Sequence, residues 1–224
     1  MRVLSLVHGP HVRSELWGDV VRAEGHELVE WDLPRQAAPP NGFDAVMVFG
    51  GEMNVGEEGR NPWLHDEYEL LRGWIADGTP LIGVCLGAQT IAHAAGGAVG
   101  PGPELLSGFY ETELTPAGLD DPVLGSMPAR FEALNANGYC FTVPAGAVRL
   151  ADGPVTQALR VGERAWGVQF HPEVRRDQVL AWWRVEAARP VAELEAALDE
   201  KLAGWQELGR KLCRAFLATA QSPS

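Results

Sequence analysis

The sequence predicts an α/β fold, an open and mostly parallel sheet flanked by helices, and three observations carry that expectation. Short apolar runs alternate along the chain with amphipathic stretches of helical period. Three of those runs, within VFGGE, GVCLG and VQFHPE, end in turn residues, as parallel strands do where the chain leaves the carboxyl edge of a sheet. The 224 residues, 46% hydrophobic and 21% charged, suffice for one sizeable core, so a single domain over 1–224 is expected.

Val3–Val7, apart from Ser5, and Ala45–Phe49 are apolar, the pattern of central strands buried on both faces. Between them, residues 11–24 read as a helix closed by Gly25, and HELVEWDL alternates as an outer strand. From Pro62 to Asp77, the residues Leu64, Tyr68, Leu71 and Ile75 share one helical face, with Gly78 just past the end. PLIGVC is then a strand and LGAQTIAHAAGG a small-residue helix ended by Gly96 and Gly97, which puts Cys85 at a tight strand-to-helix turn. Residues 97–153 carry many Gly and Pro between short runs such as FYETELT and RFEAL, and read as an irregular antiparallel extension of the sheet. RAWGVQF returns to a strand that delivers His171, Pro172 and Glu173. Residues 177–188 and 191–217 read as helices, the second with an apolar stripe from Leu194 through Trp205 to Phe216, softly broken by Gly204 and Gly209.

Thirty acidic against eighteen basic residues give a formal net charge of -12, which repels phosphate backbones and anionic lipid surfaces, so neither nucleic acid nor membrane is an expected partner. The first apolar run is too short to span a membrane and lacks a small-residue cleavage site. The three cysteines, Cys85, Cys140 and Cys213, show no close pairing, which points to a reducing, cytoplasmic setting without a disulfide framework or zinc knuckle.

The chemistry gathers at the strand ends. Gly83 and Gly87 flank Cys85 at the spacing of a nucleophile elbow, with the cysteine at a helix N-terminus whose free N–H groups and dipole favour a thiolate. An isolated cysteine is more often a small buried hydrophobe. Here the glycine frame, and His171 and Glu173 at another strand end, argue for a nucleophile with a base. His8 and His11, with no third ligand nearby, read as surface or packing residues, so no metal is implied. Phosphate-binding glycine patterns are absent, so no nucleotide or other cofactor is expected. The eight tryptophans, Trp182 and Trp183 among them, read as core packing.

GVCLGAQ, FGGE and GVQFHPEV occur in the order and approximate separation of class I glutamine amidotransferases, and residues from about 44 to 174 resemble that family. The run NPWLHDEYELLRGWIADGTPLIGVCLGAQTIAHAAGG is especially similar to stand-alone members that resemble the amidotransferase part of GMP synthetase. The resemblance implies a flavodoxin-like core. It also implies Cys85 as nucleophile, His171 as general base and acid, and Glu173 as the carboxylate that orients it. The Gly51 and Leu86 N–H groups would form the oxyanion hole, and Gly50, Gln89, Ser107, Gly108, Phe109, Asn137, Gly138 and Tyr139 would lie about the substrate. The implied reaction is hydrolysis of glutamine to glutamate and ammonia, the ammonia passing to a separate synthetase or acceptor subunit. Homo-oligomerisation is left open.

The sequence also departs from that family. Glu52 stands where a proline is usual. Leu105–Phe109 replaces a K-E-I-G-W-like segment, and Ala136–Tyr139 replaces one like W-H-G-D, so glycine survives in both but the charged residues do not. An unmatched buried polar group costs roughly 1–3 kcal/mol, so these exchanges bear on substrate identity more than on catalysis. A γ-glutamyl or other amide conjugate is the alternative substrate, and a non-catalytic regulatory subunit is the alternative from another class.

Overall fold

Residues 1–36 and 42–221 are described by the computed structural model. In chain order the elements are β1 (Arg2–Val7), α1 (Glu15–Ala23), β2 (Glu27–Asp32), β3 (Ala45–Val48), α2 (Trp63–Ala76), β4 (Leu81–Val84), α3 (Leu86–Ala94) and β5 (Val99–Leu114). They continue with α4 (Pro116–Leu119), β6 (Arg130–Phe141), β7 (Val148–Asp152), β8 (Thr156–Val161), β9 (Ala165–Val168), α5 (Arg176–Val185) and α6 (Val191–Gln221). The strands form one sheet in the order β2-β1-β3-β4-β9-β8-β7-β5-β6.

Its first half, β2-β1-β3-β4-β9, is parallel. β3 and β4 read as unbroken apolar runs, and β1 as one interrupted only by Ser5 after its first residue, because both faces are covered. Val3, Val7, Met47, Val84 and Val168 pack with Trp17 of α1, Leu180 of α5 and Leu198 of α6. On the opposite face Leu4, Leu6, Val46, Val48 and Leu81 pack with Leu71 of α2 and Ile91 of α3. Each such side chain withdrawn from water contributes about 1.5–3 kcal/mol, and that burial holds the helices to the sheet. The expected α/β architecture of a sheet between helical layers is therefore what the chain adopts.

The second half, β8-β7-β5-β6, is antiparallel and more regular than its Gly and Pro content suggests. FYETELT, up to its last residue, and RFEAL lie within two long strands, β5 of 16 residues and β6 of 12. The register shifts between Pro101 and Leu106, and that irregularity takes up Gly102 and Pro103 without ending the hairpin.

α1 starts at Glu15, not at residue 11. Glu15 has a left-handed φ of 38°, and the next N–H, from Leu16, donates to the Glu173 carbonyl at 2.9 Å. That long-range bond satisfies a first-turn donor and sets where the helix begins. On α2, Glu67 and Trp74 are buried together with Leu64, Tyr68 and Leu71, whereas Ile75 is half-buried.

Candidate active site

Three strand ends meet at the carboxyl edge of the parallel half. β3 runs into Phe49-Gly50-Gly51, β4 into Cys85, and β9 through Gln169 and Phe170 into His171. Cys85 is the N-cap of α3, with φ 53° and ψ -108°, a conformation an L residue rarely holds. Its N–H donates to the Val168 carbonyl at 2.8 Å and its carbonyl accepts from Gln89 at 3.0 Å, so β9 and α3 brace the turn together. The flanking glycines are dictated by space: a Cβ on Gly83 would strike the Gly87 carbonyl, and one on Gly87 would strike that of Val48.

His171 and Glu173 are buried, with Nδ1 of the imidazole 2.9 Å from Oε1 of the carboxylate. The His171 backbone is fixed at both ends, its N–H donating to the Leu134 carbonyl at 2.8 Å and its carbonyl accepting from Trp205 Nε1 at 2.7 Å. The Trp182 ring lies 4.8 Å from the imidazole, centroid to centroid. A Cβ built on Gly50 would sit 3.4 Å from His171 Cε1 and 3.7 Å from the Cys85 Cβ, so glycine there leaves the cleft open where the two side chains converge. Burial disfavours the charged imidazole, but the Glu173 carboxylate and the Cys85 sulfur favour it more strongly, through charge and hydrogen bonds, and push its pKa up to about 10. The arrangement can therefore hold a proton on the ring beside the Cys85 sulfur.

The other expected site residues fall into two groups. Gln89, one turn into α3, donates from Nε2 to the Tyr139 carbonyl at 3.0 Å and to Gln169 Oε1 at 3.2 Å, and Asn137 Nδ2 donates to the same Tyr139 carbonyl at 3.0 Å. Gln89, Asn137, Gln169 and the Tyr139 carbonyl thus form one polar cluster that ties β6 to the elbow helix, whereas the nearest atom to a Cβ on Gly138 would be Cδ1 of Leu105. Ser107, Gly108 and Phe109 face the α5–α6 connection instead. Ser107 Oγ accepts from the Ala188 N–H at 3.1 Å, Gly108 has a φ of 120° and its missing Cβ makes room for the Arg189 guanidinium, and the Phe109 ring packs edge-on against Trp205. Leu86, the first residue of α3, is buried, and its N–H belongs to the helix turn that opens at Cys85.

Sequence reasoning missed the surroundings of Gly50. Of the two expectations for His8, surface or packing, the second holds: it is buried, but between the Gly50 carbonyl and the Glu67 carboxylate. A signal was present, because Glu67 sits on the α2 face defined by Leu64 and Leu71, where an acidic residue needs a buried partner.

A cysteine at a strand-to-helix elbow, facing a histidine–glutamate pair across a parallel sheet, defines the class, and the class I glutamine amidotransferase model matches residues 20–179; the chain belongs to that family. Among its relatives, the glutamine-hydrolysing GMP synthase of Aeropyrum pernix is 33% identical over 168 residues, covering 73% of this chain and 29% of that one. The corresponding enzyme of Neisseria meningitidis serogroup C is 26% identical over 152 residues, or 66% of this chain, and this chain spans only 28% of its length. In three dimensions a glutamine amidotransferase from Thermotoga maritima superposes with a TM-score of 0.85 at 23% identity, covering 99% of both chains.

Proposed function

We propose that the protein hydrolyses the side-chain amide of glutamine through a Cys85 thioester, giving glutamate and ammonia. The observation that carries this reading is the convergence of Cys85, His171 and Glu173 on one open corner of the sheet in a chain of this family. With Nδ1 engaged by Glu173, Nε2 is the nitrogen free to serve Cys85. The sulfur attacks the amide carbon, and the Gly51 and Leu86 N–H groups receive the tetrahedral oxyanion. His171 passes its proton to the departing nitrogen, ammonia leaves, and the acyl group remains on sulfur. His171 then takes a proton from water, the hydroxide displaces the thiolate, and glutamate is released.

Ammonia made here has a use only where an activated acceptor awaits it. The relatives are glutamine-hydrolysing GMP synthases, of which this chain spans less than a third, and their activity supports a synthetase as recipient of the ammonia. A γ-glutamyl conjugate is favoured as the alternative substrate by one observation: neutral Leu106 and Asn137 face each other across β5 and β6 in the substrate segments.

The test is ammonia and glutamate release from glutamine, asparagine and γ-glutamyl amides by the wild type and by Cys85→Ser. Glutamine turnover confined to the wild type is expected. Equal turnover in Cys85→Ser would overturn the mechanism, and a preference for a conjugate would shift the assignment to the second substrate class.

A further inference from the structure

A second buried histidine–carboxylate pair lies against the Gly50–Gly51 loop. His8 Nδ1 is 3.0 Å from the Gly50 carbonyl oxygen and Nε2 is 3.0 Å from Glu67 Oε2, with both side chains fully shielded from solvent. The imidazole also stacks on Trp63, centroids 5.4 Å apart and planes 21° from parallel, so its orientation is fixed from three sides. A carbonyl oxygen can only accept, so Nδ1 carries a hydrogen and His8 is the donor to Gly50. Burial works against a charged His8, but the Glu67 charge, the hydrogen bond to it and the carbonyls of Gly50 and Phe49 raise its pKa above the ordinary value.

Burying two ionisable groups brings little net stability, since a well-packed apolar pair of the same volume does as well. What the pair does supply is a fixed hydrogen for one carbonyl. The Gly50 C=O and the Gly51 N–H belong to the same planar trans peptide and point in opposite directions, so holding one aims the other. No acceptor among the described residues takes the Gly51 N–H, and a Cβ on Gly51 would lie 2.8 Å from Leu86 Cδ2 and 3.1 Å from the His8 Cβ, so the loop has no room to tilt that way. Hydrogen bonds in series polarise one another: donation into the carbonyl makes the amide at the other end of the same peptide a stronger donor.

We propose that His8 and Glu67 are positioning residues of the oxyanion loop, which aim and strengthen the Gly51 N–H through the Gly50 carbonyl without touching substrate. This rests on the glutamine-hydrolysing reading above.

The experiment compares wild type, His8→Leu, His8→Asn and Glu67→Gln by kcat and KM for glutamine and by the rate of Cys85 alkylation with iodoacetamide, a reaction that forms no oxyanion. His8→Leu should lower kcat by roughly 100-fold, the scale of one lost oxyanion donor, with KM and alkylation within about threefold of wild type. His8→Asn, whose amide N–H can reach the same carbonyl, should recover about tenfold of that loss, and Glu67→Gln should lower kcat by about tenfold. An unchanged kcat in His8→Leu, or a fall matched by alkylation, would overturn the proposal. If His8→Leu does not fold, an unchanged kcat in Glu67→Gln overturns it. Absence of glutamine turnover in the wild type would instead overturn the reading of function and take this proposal with it.

Discussion

Trp205 Nε1 donates to the His171 carbonyl at 2.7 Å, and one turn further along α6 the Pro172 carbonyl lies so close to Gly209 that any Cβ there would collide with it. The last helix thus clamps the segment that carries the histidine and the glutamate. The Gly209 carbonyl also accepts from Trp17 Nε1 of α1 at 3.0 Å, so Gly209 is a contact point where the sequence suggested only a soft break.

Substitution on this clamp should therefore be felt at the site. Trp205→Phe removes the donor but keeps an aromatic ring against Phe131 and Phe170, and should cost about 1–3 kcal/mol for the buried carbonyl left unpaired. Gly209→Ala should cost about as much through overpacking. Urea unfolding measures both, with glutamine turnover expected to fall in parallel. Unchanged midpoints would mean that α6 is only an outer layer.

His171 should titrate well above the ordinary range. Its folded pKa of about 10 stands above the usual 6.5, so the stabilisation is complete below the unfolded value and is lost as pH rises toward the folded one, at no more than about 1.4 kcal/mol per pH unit. Burial opposes the charged ring; Glu173 and then Cys85 raise its pKa. Cys85→Ala should accordingly move the titration downward, as read by nitrogen chemical shifts of the imidazole. An identical titration in the variant would show that sulfur and ring are not coupled.

Gly83 and Gly87 should be irreplaceable for reasons of space alone. An alanine at either drives a methyl group into a backbone carbonyl that is itself held in the sheet or the helix, and the turn already carries Cys85 at φ 53°, a strain of order 1–3 kcal/mol. Each alanine variant is expected to lower stability by more than about 2 kcal/mol. Calorimetry decides, and a melting temperature equal to wild type in either would refute the packing argument.

Legibility in the sequence followed the range of the interactions. The apolar runs, the amphipathic α2 and the elbow around Cys85 are local patterns, and they reappear as β1, β3, β4, α2 and the β4–α3 turn. His171 and Glu173 were readable because two residues of one motif make the contact themselves. His8 and Glu67 are 59 positions apart and Trp205 lies 34 from His171; Glu67 on the apolar face of α2 announces that a buried partner is needed, but nothing local to it says which residue supplies one. The β5–β6 hairpin was obscured for another reason: Gly and Pro are ordinarily strand breakers, yet Gly100, Pro101 and Gly108 pair in register here and Gly102 and Pro103 fall in the shift between Pro101 and Leu106.

The two segments where this chain departs from its family, around Leu106 and Asn137, admit a direct test that separates stability from specificity. Leu106 is wholly buried and stands opposite Asn137 in register, so Leu106→Glu, although it brings the chain nearer its family, puts a carboxyl where none can be solvated. It should cost at least about 2 kcal/mol, whereas the volume-conserving Leu106→Met should cost under about 1.5 kcal/mol. Asn137 has a side-chain oxygen with no partner among the described residues and can change its chemistry at lower cost. Asn137→His should raise kcat/KM for glutamine relative to γ-glutamyl conjugates by about tenfold if this position sets substrate choice. Equal ratios in variant and wild type would remove position 137 from the specificity determinants and leave the discrimination to backbone groups of β5 and β6.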